Sequence, residues 1–266
     1  MDLFFSLALQ ILYGIANLAL ISLGLAIVFG MMRVINLAHG EFIMLGGYTV
    51  VVATNNGVNL WFAMLILAPL VVGLIGLIVE RCLIQWLYGR MIDTLLATWG
   101  LSLLFIGIIT SIFGASTSTV VSPPLGTVTI GEYTSSGSEL FLIFVVIVLL
   151  ALVYLTLKFT SLGLVARATM QNSDMSACLG ISTSKIYMVT FSLGAAVSGL
   201  AGGLLAPITG VLPNIGVIYI AKAFITVISG GSAILAGTTS ASVLLGGVNG
   251  IMSVSYTHLR AHETID

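Results

Sequence analysis

The chain is a succession of long apolar runs separated by short polar connections. A membrane-spanning helix needs about 20 mostly apolar residues, and most of these runs reach that length. The pattern predicts spans at about 6–30, 36–54, 60–79, 94–114, 140–158, 187–208, 217–235 and 238–252. We therefore expect an all-α integral membrane protein, a polytopic helical bundle of about eight spans, some of them broken.

Composition supports a chain that lies almost wholly within the lipid bilayer. Of its 266 residues, 59% are hydrophobic and only 6% are charged, whereas soluble domains carry about 25% charged residues. Residues 1–252 are therefore predicted to form one transmembrane domain with no soluble domain beside it. The net charge of -1 gives no reason to expect a nucleic-acid partner.

The basic residues predict how the chain is oriented. Six of them fall in three alternate connections: Arg33, then Arg81 and Arg90, then Lys158, Arg167 and Lys185. The connections at 55–59 and 115–139 contain no Lys or Arg. Because basic loops stay in the cytoplasm, the N-terminus is predicted outside. Asp2 and the long first apolar run argue against a cleaved signal peptide, so this run is taken as the first span.

The segment 33–47 has the most unusual polarity, because Asn36, His39 and Glu41 stand at the head of an apolar span. One interpretation is a broken helix, loosened at Gly40, whose polar side chains face a cavity of the translocation path. The other is a helix that starts near the cytoplasmic interface, with Asn36 as N-cap and Glu41 favoured by the helix dipole. No third ligand is near in sequence, so a metal site is not predicted.

Two further features concern charge and nucleotide binding. Lys222 lies within an apolar run, and we expect it to extend to the outer interface. The glycine-rich break after Ser229 lacks the Lys-Ser or Lys-Thr of a phosphate-binding loop, and the chain has no Walker A pattern. We expect no cofactor, and ATP hydrolysis has to occur on another polypeptide.

The connection that follows the fifth span is predicted to form a short amphipathic helix ending at Gly180. Its apolar edge would consist of Met170, Met175, Cys178 and Leu179. An exposed apolar edge on a cytoplasmic loop suggests a docking surface, although such a helix can also lie on the membrane.

Four stretches carry a resemblance to a known family. They are GMMRVINLAHGEFIMLGGY at 30–48, DTLLATWGLS at 93–102, ACLGIS at 177–182 and PNIG at 213–216. In this order they resemble permease subunits of branched-chain amino acid ABC transporters, a family that includes urea permeases. The resemblance covers about residues 5–252.

The resemblance implies a multi-pass permease of the bacterial inner membrane that is not itself an enzyme. Its implied partners are a second homologous permease, two cytoplasmic ABC ATPases and an extracytoplasmic solute-binding protein. It also implies that 167–181 carries the coupling helix that enters the ATPase groove. The candidate residues for this coupling are Arg167, Met170, Asp174, Met175, Ala177, Leu179 and Gly180.

The last part of the chain departs from the family pattern. Residues 253–266 turn polar and hold two of the three histidines, where family members continue with apolar sequence. We expect this tail to be disordered or foreign, on a chain truncated near Met252.

Three alternatives remain open from the sequence. Urea or a short amide is an alternative solute. An ion-coupled secondary transporter would need several embedded acids, and Glu41 is the only plausible one. A membrane-embedded enzyme would need a nucleophile with a base, or a metal constellation, and the sequence offers neither pattern.

Overall fold

The computed structural model describes residues 2–119, 125–130, 133–231 and 234–263, most of them in helices. The helices are α1 Asp2–Met32, α2 His39–Asn55, α3 Leu60–Phe62, α4 Ala68–Cys82, α5 Met91–Phe113, α6 Gly137–Phe159, α7 Ser161–Gln171, α8 Ser173–Cys178, α9 Thr183–Thr209, α10 Ile215–Gly230 and α11 Ile234–Glu263. A π-helical turn, Ala63–Leu67, joins α3 to α4, and a 3-10 turn, Ile84–Leu87, precedes α5. Each predicted span corresponds to one helix, or to the joined α3 and α4.

Among the described residues, five helices are long and apolar enough to cross a membrane: α1, the joined α3–α4, α5, α6 and α9. Helices α10 and α11 are bent by 113° at a short break and together form a sixth candidate. Helix α2 is 17 residues long and begins inside the bundle, as described below. The all-α polytopic class is confirmed, with five or six crossings by length and composition where the sequence pattern predicted about eight.

The polar connection between α5 and α6 contains a short antiparallel hairpin. Strands β1 (Thr127–Ile130) and β2 (Tyr133–Ser136) pair with Thr127 opposite Ser136 and Ile130 opposite Tyr133. Ser118 and Val211 exchange two backbone hydrogen bonds of 2.9 and 2.8 Å. This bridge attaches the connection to the segment between α9 and α10.

Helix α9 forms the centre of the bundle and packs along α1, α2 and α4. The small residues of α9 make this possible, because a Cβ atom on Gly194 would collide with α1, one on Gly202 with α2 and one on Gly199 with α4. In lipid such close backbone contact replaces the hydrophobic effect as the force that joins helices. The small residues of α9 lie on two neighbouring stripes, each with a spacing of four residues: Ala195, Gly199 and Gly203, and Gly194, Ser198 and Gly202.

Helices α1 and α4 run antiparallel to α9, so their last residues lie at the same end of the bundle as the first residues of α9. Six basic residues lie at one end, which we call the basic end: Arg33, Arg81, Arg90, Lys158, Arg167 and Lys185. Helices α7 and α8 are at this end. The opposite end carries the β-hairpin and is called the hairpin end.

Helix α11 continues to Glu263, so residues 253–263 are helical. Residues 264–266 lie outside the described part. That the tail is disordered or foreign to the family stays a prediction.

Candidate functional site

Helix α1 is separated from α2 by a non-helical segment that turns back into the bundle. Arg33 adopts the left-handed conformation, with φ of 51°, and helix resumes at His39. The new helix starts deep in the bundle, because His39 contacts Ile21, about three turns before the end of α1. His39 also contacts Ser198, near the middle of α9, while Glu41 contacts Ser102, near the middle of α5.

Asn36 shapes the turn that precedes α2. Its Oδ1 atom accepts a hydrogen bond of 3.0 Å from the backbone N–H of Ala38. The N-cap itself is Ala38, without a side-chain hydrogen bond, so the interpretation of Asn36 as N-cap near the interface was wrong. The next backbone N–H, that of Leu37, donates to Thr98 Oγ1 at 3.1 Å, which fixes the segment against α5.

His39 is buried in the first turn of α2, with 1% of its surface exposed. Its Nε2 atom lies 2.9 Å from the carbonyl oxygen of Ile21. Because a carbonyl oxygen only accepts, Nε2 carries a hydrogen and donates it to Ile21. Nδ1 lies 3.3 Å from the Ser198 hydroxyl, and that hydroxyl donates its own hydrogen to the Gly194 carbonyl at 2.8 Å. His39 therefore joins α2 to α1 through Ile21 and contacts α9 at Ser198.

Glu41 is completely buried. Its Oε1 atom accepts a hydrogen bond of 2.7 Å from Ser102, whereas Oε2 has no hydrogen-bond partner among the described residues. Oε2 lies against Gly216, where an added Cβ would overlap it. Gly216 is in the first turn of α10, so the carboxyl group lies beside a helix N-terminus, where the dipole favours negative charge.

The glycines of α2 do not interrupt the helix, although a break at Gly40 was predicted. Helix α2 is continuous from His39 to Asn55 through Gly40 and Gly46. The predicted break therefore precedes the helix, at 33–38, and only Asn36 of the predicted helix-break residues lies in it. A Cβ atom on Gly40 would overlap the Gly216 carbonyl, and one on Gly46 would overlap that of Gly199. Both glycines are contact points between backbones.

These side chains form one group, which we call the central cluster: Asn36, His39, Glu41, Thr98, Ser102 and Ser198. Sequence reasoning placed the first three at a site and missed the last three. Two signals were available, since Thr98 and Ser102 lie one helical turn apart in the 93–102 motif and Ser198 interrupts a stripe of glycines. The 213–216 motif also ends at this point, with Gly216.

The predicted coupling segment at the basic end forms two helices rather than one. Helix α7 ends at Gln171 and α8 begins at Ser173, because the side chain of Asn172 caps α8 by accepting from the N–H of Met175 at 2.9 Å. Gly180 ends the segment in the left-handed region, with φ of 85°.

Exposure divides the predicted coupling residues into two groups. Met175 and Leu179 are 60% and 76% exposed. Together with the exposed Asp174, Ala177 and Gly180, they form what we call the α8 surface. Met170 instead packs inward against the buried cluster that includes Leu23 and Ile27, so its predicted place on an exposed apolar edge was wrong.

Arg167 has a structural contact within the same connection. Its guanidinium donates a hydrogen bond to the carbonyl oxygen of Leu157 in the last turn of α6. A cation there also opposes the negative end of the helix dipole. Arg167 thereby holds α7 against the end of α6.

At the basic end, a buried acid makes a hydrogen bond between α4 and the segment that precedes α5. Glu80, near the end of α4, is 1% exposed and accepts a hydrogen bond from the hydroxyl of Tyr88. Burial, followed by the bond to Glu80, raises the pKa of Tyr88 above its usual value, so this hydroxyl keeps its hydrogen. The Tyr88 ring packs edge-on against Tyr187 of α9, with 5.0 Å between centroids.

Lys222 lies on α10, and its side chain is exposed. Because α10 begins in the middle of the bundle and ends near Ile234, which contacts Gly30 at the end of α1, Lys222 lies between mid-depth and the basic end. Its predicted place at the outer interface was wrong. Within the described ranges, no group of three or more His, Cys, Asp or Glu side chains is placed to hold a metal ion.

Comparisons with known proteins identify the family. The chain is 27% identical over 246 residues to "High-affinity branched-chain amino acid transport system permease protein LivH" of Escherichia coli K12, covering 86% of this chain and 79% of that protein. It is 29% identical over 244 residues to the permease protein BraD of Pseudomonas aeruginosa, covering 86% and 79%. The "Probable branched-chain amino acid transport permease protein LivH" of Methanocaldococcus jannaschii is 28% identical over 240 residues, covering 86% and 75%. No solved structure matches the chain.

The family description "Branched-chain amino acid transport system / permease component" matches residues 7–260. This range includes all four stretches on which the resemblance was based, and the predicted family is confirmed. The chain therefore belongs to the family of permease components of branched-chain amino acid transport systems.

Proposed function

We propose that this chain is the membrane-spanning subunit of an ABC importer for branched-chain amino acids, with a path that is closed here at the central cluster. The observation that carries the proposal is the meeting of two helix N-termini, those of α2 and α10, at Gly40 and Gly216. Helices that begin inside the membrane are typical of the solute sites of transporters. The named activity of the relatives supplies the solute class.

The contact between α2 and α10 is suited to opening and closing. At its centre two glycines meet backbone to backbone, so no interlocking side chains need to leave their pockets when the helices separate. Separation would also expose Glu41, whose Oε2 has no hydrogen-bond partner among the described side chains. Water or a solute group would then supply the missing hydrogen bonds, offsetting part of the cost of opening.

The basic end is proposed to face the cytoplasm, which puts the N-terminus outside. There the α8 surface would dock into the groove of an ABC ATPase, since Met175 and Leu179 expose apolar side chains on a polar connection. The chain carries no ATP-binding motif in its sequence, so two separate ATPases would supply the energy. A second homologous permease and an extracytoplasmic binding protein complete the proposed complex.

Reconstitution tests the proposal. The chain is purified with its second permease and ATPases, inserted into liposomes and supplied with the binding protein. We expect import of leucine, isoleucine or valine that requires both ATP and binding protein. Glu41→Ala should abolish import, and the exposed Gly107→Ala on α5, which meets open space, should leave it unchanged.

Three outcomes would count against the proposal. Import of urea without amino acids would replace the solute. Import driven by an ion gradient without ATP would favour a secondary transporter. Full import by Glu41→Ala would remove the central cluster from the path.

A further inference from the structure

The charge of Lys222 is unusual for its position. Six of the eight Lys and Arg residues lie at the basic end and one lies at position 260, which leaves Lys222 alone within the body of the bundle. It is exposed on a face of α10 whose other exposed members include Ile218 and Ile225. This face has no covering element in the described part of the chain.

Lys222 lies close to mid-depth. Gly216, in the first turn of α10, contacts Gly40 beside the central cluster, while Val227 packs with Leu25 and Ala26 of α1. Lys222 is between these two points, less than two helical turns after Gly216. The Cα–Cβ bonds of a helix tilt toward its N-terminus, so the lysine side chain leaves α10 in the direction of mid-depth.

Lipid is a poor surrounding for this side chain. An ammonium group at such depth is costly unless it meets water or a counter-charge, and embedded charges of membrane proteins accordingly face interiors or water-filled cavities. To reach the basic end, the flexible side chain would have to turn back against the tilt of its Cα–Cβ bond. We therefore expect the exposed face of α10 to be covered by a neighbouring element, with water and an anion between the two.

We propose that Lys222 faces the water-filled translocation path at the boundary with the second permease subunit, where its ammonium binds the carboxylate of the transported amino acid. This inference rests on the proposed function. Lysine suits the role because its ammonium is a compact point charge on a flexible stem that can follow a moving solute. The N-terminus of α10, which also attracts anions, lies on the side toward which Lys222 leans.

A cysteine reporter next to Lys222 tests both parts of the proposal. The whole complex is prepared with Cys82→Ser and Cys178→Ser, because both native cysteines are exposed. Ala221→Cys then places a thiol on the same face while keeping Lys222. Control thiols are Ile147→Cys in the middle of α6 and Leu74→Cys in α4, which are 60% and 54% exposed. All are treated in vesicles with a charged, water-soluble thiol reagent.

We expect the reporter to react rapidly and both controls to stay unreactive. Saturating leucine or 4-methylpentanoate, which keeps the carboxylate but lacks the amine, should slow the reaction of the reporter. The amine 3-methylbutylamine, which has the leucine side chain but no carboxylate, should not slow it. Adding Lys222→Gln should remove the protection and slow leucine import about tenfold, which corresponds to one charge-assisted hydrogen bond.

Several results would overturn the inference. A reporter as unreactive as the controls would place the face in lipid or in a dry interface. Absence of protection by either carboxylate, or protection that survives Lys222→Gln, would remove the lysine from solute binding. A complex that labels and is protected as expected but imports no amino acid would defeat the proposed function and leave the position of Lys222 standing.

Discussion

The central cluster and the α8 surface show opposite ways of using a polar segment in a membrane protein. In the central cluster, His39 and Glu41 are buried by four helices and bonded to Ile21 and Ser102. In the α8 surface, apolar side chains such as Leu179 are exposed on a short helix with few neighbours. The polar groups of the central cluster are thus enclosed within the bundle, and the apolar groups of the α8 surface are exposed at its basic end.

The difference indicates which regions are stabilised by contacts within this chain and which depend on a partner. The central cluster has almost all of its contacts within this chain, so changes there should reduce the stability of the subunit itself. The α8 surface makes few contacts within this chain, and because it is proposed to dock a partner, changes there should alter activity while leaving the subunit folded. Substitutions in the two regions can therefore be separated by measuring stability and coupling side by side.

The largest effect is expected at the contact between α2 and α10. Gly40→Ala adds a methyl group where the Gly216 carbonyl lies, and neither backbone can move without separating the two helices. We expect at least about 3 kcal/mol of destabilisation, at the upper end for overpacked sites. Thermal unfolding of the purified complex, with the yield of assembled protein, measures the loss.

The matched control is Gly107→Ala, because that glycine is also helical but meets nothing within 4 Å. Alanine is the better helix former, so this variant should be neutral or more stable by up to about 1 kcal/mol. Equal melting temperatures for the two variants would show that α2 and α10 are not in close contact.

Coupling should be most sensitive at Leu179. Leu179→Asp places a charge on a side chain that is 76% exposed, so the isolated subunit should keep its stability. Docking into an apolar groove would instead be weakened, and we expect binding-protein-stimulated ATP hydrolysis to fall by about tenfold or more. Gln171→Asp, an exposed position at the end of α7, is the control for added charge. Normal stimulation in Leu179→Asp would place the docking surface elsewhere.

A substitution of Arg167 distinguishes a structural contact within the chain from a docking contact with a partner. Arg167→Gln weakens the hydrogen bond to the carbonyl of Leu157, and because the site is exposed we expect a stability loss of about 1 kcal/mol. Lys185→Gln removes a neighbouring charge at the same end and should cost less. If Arg167→Gln lowers ATPase stimulation at unchanged stability, its role is direct contact with a partner.

Sequence patterns predicted the helical segments well because lipid imposes a simple rule on them. Backbone groups must be paired inside each segment, so an apolar run such as 137–159 has few alternatives to helix. The positions of Asn36 and Glu41 in a special segment were also predictable, since polar residues in an apolar span need partners. The 30–48 motif also indicated the family.

The partners of those residues could not be predicted, because they depend on how helices pack. Glu41 and Ser102 are 61 positions apart in the chain, and small residues, which determine the packing here, occur in every span. The break was assigned to Gly40 because glycine favours flexibility in sequence, yet the structure uses this glycine for contact. Met170 was misplaced for a similar reason, since one amphipathic helix was assumed where Asn172 starts a second.

The smallest expected effect compares two helix caps at opposite ends of the bundle. Asn172 caps α8 through the N–H of Met175, and Asn59 caps α3 through the N–H of Trp61, each at 2.9 Å. Replacing either by alanine removes one hydrogen bond at an exposed helix start, for which we expect a loss of about 0.5 kcal/mol, the low end for caps. Equal stability costs are therefore predicted. Only Asn172→Ala should also reduce ATPase stimulation, because α8 has six residues and cannot hold its apolar side chains in place without the cap. A matching loss of stimulation in Asn59→Ala would show that activity follows overall stability, and the distinction between the two regions would then fail.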